Sequence, residues 1–331
     1  MNKTQLGTTG PSVSRIGLGG MGMSGAYGAS DEKESIRTIH AAIDSGIDLI
    51  DTGDFYGAGH NEMLIGRALQ ERNREDVTLS VKFGALRSPD GGWLGFDGSP
   101  RAVKSALAYS LQRLGVDHID IYRPARLDPQ VPIEDTVGAV AEMIEAGYVR
   151  HIGLSEVGSS TLRRAAAVHP ISDLQIEYAL ISRGIEADIL PTARELGIGI
   201  TAYGVLSRGL LSDSFRQAKT FAADDFRAHS PRFQGDNLDR NREVVEVLAA
   251  LAEERGVSTA QLAIAWVLGR GEDIVPVIGA RTTSRLAETI AALDISLSDE
   301  DVARIEKAVP ADSAAGDRYA AAQMAQLDSE A

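Results

Sequence analysis

Short runs of Val, Ile and Leu recur along the 331-residue chain and alternate with longer amphipathic segments. Apolar runs of this length are typical of parallel strands that are covered on both faces. The pattern predicts eight strands, at Arg15–Leu18, Ile47–Asp51, Thr78–Lys82, His118–Tyr122, Arg150–Leu154, Leu174–Tyr178, Ile198–Ala202 and Ile274–Ile278. Eight strand–helix units in a chain of this length favour an α/β fold, a (β/α)8 TIM barrel, as a single domain over residues 1–331.

Helical patterns fill the gaps between these strands. The first begins at Asp31, which has an acidic residue three positions later, and ends at Gly46. A second ends at Gly115. Further helices are predicted at 134–146, 159–168, 186–196, 240–255, 259–269, 282–292 and 299–308, which leaves extra helices near the C-terminus. The polar segment 212–241, after the seventh strand, is predicted to be a functional loop insertion because long loops in compact domains usually serve a site.

The overall charge and the absence of cysteine exclude several classes of function. A net charge of −14 opposes binding to nucleic acid or to an anionic membrane surface. A chain with no cysteine cannot use thiol catalysis, disulfides or thiolate metal ligands. No apolar stretch approaches the length of a membrane span. We therefore expect a soluble cytoplasmic protein whose partner is a small molecule; the sequence carries no signal for an oligomeric state.

The glycine-rich stretch from Gly17 to Gly22 matches the spacing G-x-G-x-x-G of a dinucleotide-binding fingerprint. That fingerprint requires a helix that opens within its glycines. Here further glycines follow as far as Gly28, and the first predicted helix begins only near Asp31. The stretch is therefore predicted to be a loop whose backbone approaches a ligand.

Three polar side chains are predicted to meet at the carboxyl-terminal rim of the barrel. Asp51 ends the second strand, Tyr56 lies in the loop that follows, and Lys82 ends the third strand. A nearby cation favours tyrosinate, so Lys82 is expected to lower the pKa of Tyr56, and Asp51 is expected to keep Lys82 charged. The spacing by itself fits equally well a structural ion pair of Asp51 and Lys82, with Tyr56 as a packing residue.

Seven motifs, each near a predicted strand end, give nearly the whole chain a resemblance to the aldo-keto reductases. They run from Asp51 to Gly57, Lys82 to Gly84, Ser110 to Tyr122, Gly153 to Glu156, Gln175 to Tyr178, Tyr203 to Gly209 and Pro276 to Arg281. The resemblance implies a metal-free, NADPH-dependent oxidoreductase that reduces an aldehyde or ketone to an alcohol, or runs the reverse reaction. In this reaction Tyr56 is the general acid that protonates the carbonyl oxygen.

The same resemblance implies a set of residues that bind NADPH/NADP+. Ser155 and Gln175 match positions at the nicotinamide carboxamide, and Tyr203 matches the aromatic that stacks on the nicotinamide ring. Glu156 lies at the same carboxamide but departs from the family, since many members have Asn at this position. The remaining cofactor-binding assignments are Gly20 and Met21 in the glycine-rich loop, Gly204, Leu206, Ser207 and Arg208 at the pyrophosphate, Gly279, Arg281 and Arg285 near the adenosine 2′-phosphate, and Glu288 at the adenine. Two arginines at the 2′-phosphate favour NADPH over NADH, because a guanidinium binds phosphate bidentately.

The chain departs from the family on the fourth strand. In Tyr122-Arg123-Pro124-Ala125-Arg126-Leu127-Asp128-Pro129 the residues after position 125 fix the register. Ala125 then occupies the place of a histidine that, in the family, donates to the substrate oxygen. Loss of one such donor costs on the order of 3 kcal/mol of transition-state stabilisation. Candidate replacements are a donor on the substrate, a water molecule, Arg123 or His60.

The departure leaves three functions open. The first is a working reductase in which Tyr56 acts with less help. The second is a pyridoxal reductase (pyridoxine 4-dehydrogenase), since some members of that branch resemble this chain in having Ala-Arg-x-Asp here and their substrate carries its own phenol beside the aldehyde. The third is an NADPH-binding regulatory protein with little turnover, against which the retention of Asp51, Tyr56 and Lys82 argues.

The substrate pocket is expected to draw on variable loops around the predicted rim. Its candidate residues are Tyr27, Trp93, Arg123 and Ala125. Trp93 and the neighbouring Phe96 indicate an apolar wall, although aromatic residues in a loop also pack beneath that loop.

Overall fold

The structure, a computed structural model, describes residues 1–217, 221–222 and 225–331. The strands are β1 Lys3–Gln5, β2 Ser12–Ser14, β3 Gly17–Gly19, β4 Leu49–Gly53, β5 Thr78–Phe83, β6 Ala85–Arg87, β7 Trp93–Phe96, β8 Ile119–Pro124, β9 Val149–Ser155, β10 Ile171–Glu177, β11 Gly199–Tyr203 and β12 Ile274–Gly279. Among the described strands, β3, β4, β5, β8, β9, β10, β11 and β12 close into a parallel barrel in chain order. The predicted (β/α)8 barrel is confirmed.

Helices surround this barrel. They are α1 Glu32–Asp44, α2 His60–Leu69, α3 Pro100–Leu114, α4 Ile133–Glu145, α5 Ser159–Ala166, α6 Ile189–Glu195, α7 Asp213–Gln217, α8 Gly235–Glu254, α9 Thr259–Leu268, α10 Thr283–Ala291, α11 Asp299–Ala308 and α12 Ala321–Met324. The capping signals act as predicted: the Asp31 carboxylate accepts from the Glu34 backbone N–H at 2.8 Å, and Gly115 ends α3 with a φ of 67°. Within the described residues, none of these helices has the length and apolar character needed to cross a lipid bilayer.

Helix α2 has no counterpart among the helices predicted from the sequence. Its N-cap is Gly59, which has a φ of 92° and offers no side-chain cap. The helix therefore lacks the Ser, Thr, Asp or Asn signal that marks a helix start in a sequence. Tertiary packing supports it instead, since Leu64, Ile65 and Ala68 are buried in the main core.

A hairpin of β1 and β2 at the N-terminus was also not predicted. Its strands are three residues long, too short to show an alternating pattern. Leu6 and Val13 bury their side chains in a cluster with Leu49 and Val275, which lie at the starts of β4 and β12. The hairpin therefore covers the amino-terminal end of the barrel, which leaves the opposite end to form a site.

The predicted loop insertion at 212–241 is more regular than expected. It contains α7, two short 3-10 turns at Phe226–His229 and Pro231–Phe233, and the start of α8, five residues before the predicted helix start. Residues 218–220 and 223–224 of the segment lie outside the described residues. In the second turn of this long helix, Asn241 Nδ2 donates to the backbone oxygens of Arg232 and Ala315 at 2.9 Å each, which ties the helix to neighbouring chain.

The barrel interior contains a buried ion pair. Arg123 on β8 and Asp173 on β10 are both 0% exposed, and the guanidinium Nη1 lies 2.8 Å from Asp173 Oδ2. Arg123 also donates to Thr201 Oγ1 at 3.1 Å and to Ser80 Oγ at 2.9 Å. The expectation that Arg123 lines a substrate pocket or replaces the missing histidine is therefore wrong. Its side chain points inward like that of Ala125, two residues later, but lies one layer deeper in the barrel.

We expect Asp173→Asn to lower the free energy of unfolding by about 3–5 kcal/mol, because it leaves the Arg123 charge buried without a counter-ion. The measurement is urea-induced unfolding followed by circular dichroism. Glu195→Gln is the matched control: Glu195 pairs with Arg163 at the exposed surface, and its loss should change stability by less than about 1 kcal/mol. Equal, small effects of both substitutions would contradict a structural role for the buried pair.

Candidate active site

The carboxyl-terminal ends of the barrel strands open into a cavity of about 1150 Å³. This volume exceeds the roughly 300–1,000 Å³ typical of a pocket for one small ligand. The cavity wall includes most of the site residues predicted from the sequence, namely Met21, Tyr27, Asp51, Tyr56, Lys82, Trp93, Ala125, Ser155, Gln175, Tyr203, Gly204, Leu206, Arg208, Gly279, Arg281, Arg285 and Glu288. These residues come from every strand of the barrel or from the loop that follows it.

Among the described residues, Gly20, Glu156 and Ser207 join Arg123 outside the cavity wall. Gly20 serves the site through its backbone: its N–H donates to the Asp51 carbonyl at 2.8 Å, and its carbonyl accepts from Asn61 Nδ2 at 2.8 Å. A Cβ at position 20 would lie 2.4 Å from Asn61 Oδ1, so only glycine fits there. Gly20 therefore links the glycine-rich loop to the strand that carries Asp51.

Asp51, Lys82 and Gln175 form a closed set of hydrogen bonds at the rim. Lys82 Nζ donates to Asp51 Oδ1 and, at 2.9 Å, to Gln175 Oε1. Gln175 Nε2 donates in turn to Asp51 Oδ2 at 2.8 Å, and Ser80 Oγ donates to the same oxygen at 2.8 Å. The oxygen and the nitrogen of the Gln175 amide thus both bond the ion pair. This contact was not predicted from the sequence, which assigned Gln175 to the nicotinamide carboxamide.

Tyr56 lies beside this set, with Lys82 Nζ 5.1 Å from the centre of its ring. Burial lowers the pKa of Lys82 to about 8, even though Asp51 opposes the change. Burial, together with the Asp51 carboxylate, raises the pKa of Tyr56 well above its usual value, and Arg126 opposes this rise. The pKa of Tyr56 is therefore not lowered overall as expected, and the separate effect of Lys82 on it stays a prediction. The expected lowering does not occur because the lysine charge is neutralised by Asp51 while the phenol is desolvated.

The raised pKa keeps Tyr56 protonated across the physiological range. A protonated phenol can still deliver its proton to an alkoxide, because an alkoxide is a stronger base than a phenolate. The site therefore provides a fixed proton donor within the cavity, held next to a buried cation and its carboxylate.

The next strand end carries Ala125, which is 2% exposed and lines the cavity. Arg126 lines it as well: Nη1 donates to the Ala125 carbonyl at 2.6 Å and to Ser155 Oγ at 3.3 Å. From the sequence, Arg126 was assigned no role beyond fixing the register. His60 is not a replacement donor, since Nδ1 contacts Ser24 Oγ at 2.9 Å and Nε2 contacts Glu32 Oε1 at 2.7 Å.

Glu156 binds the C-terminal segment, defined as residues 310–331. Its carboxylate accepts from both Arg318 Nη atoms, at 3.0 and 2.9 Å, and from Ser329 Oγ at 2.5 Å. Burial opposes the charged form, but Arg318 and Ser329 still lower the pKa of Glu156 to about 2. The Glu156 carboxylate, which was predicted to contact the cofactor, is therefore bonded to residues of the protein instead.

The C-terminal segment contributes cavity wall that the sequence did not reveal. Tyr319 OH lies 2.9 Å from Tyr203 OH, and the Tyr319 ring lies beneath the Arg208 guanidinium at 4.4 Å. Leu327 lines the cavity as well. No motif marks this segment, because these contacts join residues that are far apart in the sequence.

The apolar wall is an antiparallel hairpin of β6 and β7. Trp93 lies 5.9 Å from Phe55 and 6.2 Å from Phe96, between ring centres, and Phe55 lies 4.7 Å from Tyr56. The predicted role of Trp93 as cavity wall agrees with this row of rings. It leads from the hairpin to the phenol of Tyr56.

The chain matches known proteins over nearly its whole length. The sequence profile described as the aldo/keto reductase family matches residues 15–310. The chain belongs to the aldo/keto reductase family.

Individual aldo/keto reductases agree with this assignment. "Probable aldo-keto reductase 1" of Glycine max is 44% identical over 318 residues, which cover 95% of this chain and 91% of that protein. The structure of the glycerol dehydrogenase AKR11B4 from Gluconobacter oxydans is 31% identical, with a TM-score of 0.84 over 93% of this chain and 96% of the other. The holo form of AKR11C1 from Bacillus halodurans is 27% identical, with a TM-score of 0.78 over 94% and 97%.

Aldo/keto reductases are oxidoreductases that use nicotinamide nucleotides, and the stretch from Leu206 to Arg208, which borders the cavity, has donors that suit such a ligand. Ser207 Oγ and Arg208 Nη1 are buried without a hydrogen-bond partner within the described residues. Both residues have positive φ angles, 45° and 59°, which are unusual for non-glycine residues. Strained backbone and unpaired donors at the predicted pyrophosphate position fit a bound phosphate.

The predicted adenosine end of the reductase cavity has a cation without a carboxylate partner within the described residues. Arg281 Nη1 donates to the backbone carbonyls of Tyr27 at 2.9 Å and Ala29 at 3.3 Å, and no carboxylate of the described residues pairs with it. Arg285, by contrast, pairs with Glu288 at 2.8 Å. The residues present fit a phosphate at this end, with Arg281 as the more available of the two arginines.

Asp54 ties the Tyr56 loop of the reductase to strand β5. Its backbone N–H donates to the Lys82 carbonyl at 2.9 Å, and its carboxylate Oδ2 accepts from the Gly84 N–H at 3.4 Å. The other oxygen, Oδ1, is buried without a hydrogen bond within the described residues. Burial, and then the nearby Glu62 carboxylate, raise the pKa of Asp54 to about 7.

Because the folded-state pKa is raised, the stability that Asp54 contributes is complete below the pKa of about 4 of the unfolded chain. It is lost as the pH rises through about 7. We therefore expect Asp54→Asn to stabilise the protein relative to wild type at pH 8 by on the order of 1–2 kcal/mol more than at pH 5. The measurement is urea unfolding at both pH values. Asp312→Asn, at an exposed aspartate, is the control; a pH-independent difference for Asp54→Asn would contradict the assignment.

Proposed function

We propose that this protein is an NADPH-dependent oxidoreductase that reduces an aldehyde or ketone to an alcohol, in a reversible reaction. The observation that carries the proposal is the phenol of Tyr56 in the cavity wall, beside the closed set formed by Asp51, Lys82 and Gln175. A regulatory protein that only binds a nucleotide has no need for a buried ion pair placed beside a phenol. Family membership supports carbonyl oxidoreduction in general.

Tyr56 supplies the proton in this reaction. Reduction adds a hydride to the carbonyl carbon and a proton to the carbonyl oxygen; a bound nicotinamide nucleotide supplies the hydride. Negative charge grows on the oxygen as the hydride arrives, and Tyr56 is protonated and placed in the cavity to neutralise it. In the reverse direction the phenolate takes the alcohol proton.

Lys82 acts by making the Tyr56 phenolate less unfavourable when the proton leaves. Its charge lies near the ring, and its hydrogen bonds to Asp51 and Gln175 fix the ammonium in one place. The Ser80 hydroxyl, which Arg123 holds at 2.9 Å, fixes Asp51 in turn. Preorganised charges of this kind stabilise a transition state without rearrangement of the site.

The unpaired donors support NADPH as the cofactor. Ser207 and Arg208 would hold the pyrophosphate, and Arg281, helped by Arg285, would hold the 2′-phosphate. Tyr203 would face the nicotinamide ring; its hydroxyl is fixed by Glu156 Oε1 at 2.6 Å, which leaves the face of the ring for stacking.

We expect Tyr56→Phe to lower kcat for aldehyde reduction by at least about a thousandfold, because the proton donor is lost while the ring remains. The dissociation constant for NADPH, from fluorescence titration, should change less than about threefold. Tyr109→Phe removes a hydroxyl from a tyrosine that is 59% exposed on α3, and it should leave both quantities unchanged. Retention of wild-type turnover by the Tyr56→Phe enzyme would disprove the acid role.

We expect Arg281→Ala to weaken NADPH binding about tenfold or more, since a charge-assisted hydrogen bond contributes about 1.5–3 kcal/mol. NADH binding should fall less than about threefold. Arg285→Ala should have a smaller effect, because that side chain already pairs with Glu288. Calorimetric titrations of both cofactors measure the effect, with exposed Arg101→Ala as the control; equal losses for NADPH and NADH would reject the 2′-phosphate assignment.

A further inference from the structure

Arg126 is a cation at the catalytic end of the cavity that lacks a carboxylate partner. Its guanidinium donates to the Ala125 carbonyl, to Ser155 Oγ and, at 3.4 Å, to Tyr319 OH, and within the described residues no acid forms an ion pair with it. Two other arginines of the cavity wall are neutralised: Arg208 pairs with Glu177 and Arg227 with Asp225. A half-buried charge without a counter-ion is only partly compensated, and an anionic ligand in the cavity would complete its surroundings.

The position of Arg126 places this charge beside the reacting group. Arg126 directly follows Ala125, where a methyl group stands in place of the family's imidazole, and Tyr56, Ala125 and Arg126 all line the same cavity. Arg126 also donates to Ser155 Oγ at the end of β9, the strand that pairs with β8. Burial raises the pKa of Tyr56, and the Arg126 charge opposes this rise, as expected for two groups of one cavity.

Within the described residues, the hydrogen-bond partners of the guanidinium are all neutral groups. Glu156, the acid that acts on it through space, is bound by Arg318 and Ser329. Arg87, another arginine of the wall, lies at the hairpin instead, stacked on the Trp93 ring at 3.8 Å and bonded to the Gly91 carbonyl at 2.9 Å. Arg126 is therefore the cation placed to meet a ligand that also reaches Tyr56.

We propose that Arg126 binds a carboxylate carried by the substrate, so that the preferred substrates are formyl or keto acids. The planar guanidinium matches a carboxylate bidentately, and the pairing would fix the carbonyl at Tyr56. The chemical step is that of the proposed function, on which this inference rests: the carbonyl carbon accepts hydride from NADPH, the oxygen takes the Tyr56 proton, and the carboxylate is unchanged. An anionic anchor on the substrate would also offset the loss of the strand-four histidine.

The test compares 4-carboxybenzaldehyde with its methyl ester, methyl 4-formylbenzoate, which has nearly the same shape without the charge. We expect the wild-type enzyme to have a kcat/KM at least tenfold higher for the acid than for the ester, expressed mainly in KM. Arg126→Gln should lower that ratio at least tenfold while the ester is still reduced, and Arg126→Lys should restore part of it. Arg163→Gln, which removes an exposed charge outside the cavity, should leave the ratio unchanged.

If the wild-type enzyme has nearly equal kcat/KM values for the acid and the ester, the inference is overturned. An equal loss of kcat/KM for both aldehydes in Arg126→Gln would also overturn it, because that result would assign Arg126 to the carbonyl that both substrates share. Failure of the proposed function is distinguishable, because neither aldehyde would then oxidise NADPH. In that case calorimetric binding of 4-carboxybenzyl alcohol and its methyl ester, with and without NADP+, still decides. Binding of the acid at least tenfold tighter than the ester, lost in Arg126→Gln, supports the carboxylate site; equal binding overturns it.

Discussion

The buried ion pair of Asp51 and Lys82 is the interaction on which the site depends. Two charges removed from water destabilise a fold unless each has further partners. Gln175 bonds both members, Ser80 bonds the second carboxylate oxygen, and Arg123 holds Ser80 from below. Since Arg123 is itself paired with Asp173, a continuous set of polar contacts joins four strands of the barrel, from its interior to its rim. The contacts that hold these strands together therefore also position the reactive groups.

This arrangement decides what kind of acid Tyr56 can be. Because Asp51 neutralises Lys82 and the phenol is desolvated, the protein keeps Tyr56 protonated with a raised pKa. Tyr56 is thus a protonated general acid that donates one proton, and it is not ionised to a phenolate before the reaction. Arg126 is the positive group that opposes the rise. It comes from the strand that carries the histidine in other family members, one residue further along the chain.

The two departures from the family pattern, Ala125 and Glu156, lie at neighbouring strand ends, and both regions contact the C-terminal segment. Glu156 binds Arg318 and Ser329 of that segment, while Arg126, beside Ala125, donates to Tyr319. Tyr319 also bonds Tyr203. Changes at two strand ends are thus accompanied by a C-terminal segment that forms part of the cavity wall.

The sequence by itself determined the barrel, the order of its strands, and the gathering of Asp51, Tyr56 and Lys82 at one rim. These features depend on local patterns: continuous apolar runs, capping residues, and the rule that parallel strand ends meet. Only the tertiary structure decided that Arg123 lies below the cavity, that Gln175 bridges the ion pair, and that Glu156 holds the C-terminal segment. Each of those outcomes depends on contacts between residues far apart in sequence and on the depth of a side chain in the barrel, which a strand pattern does not encode. The pKa of Tyr56 belongs to the same group, since its direction follows from the balance of burial and several distant charges.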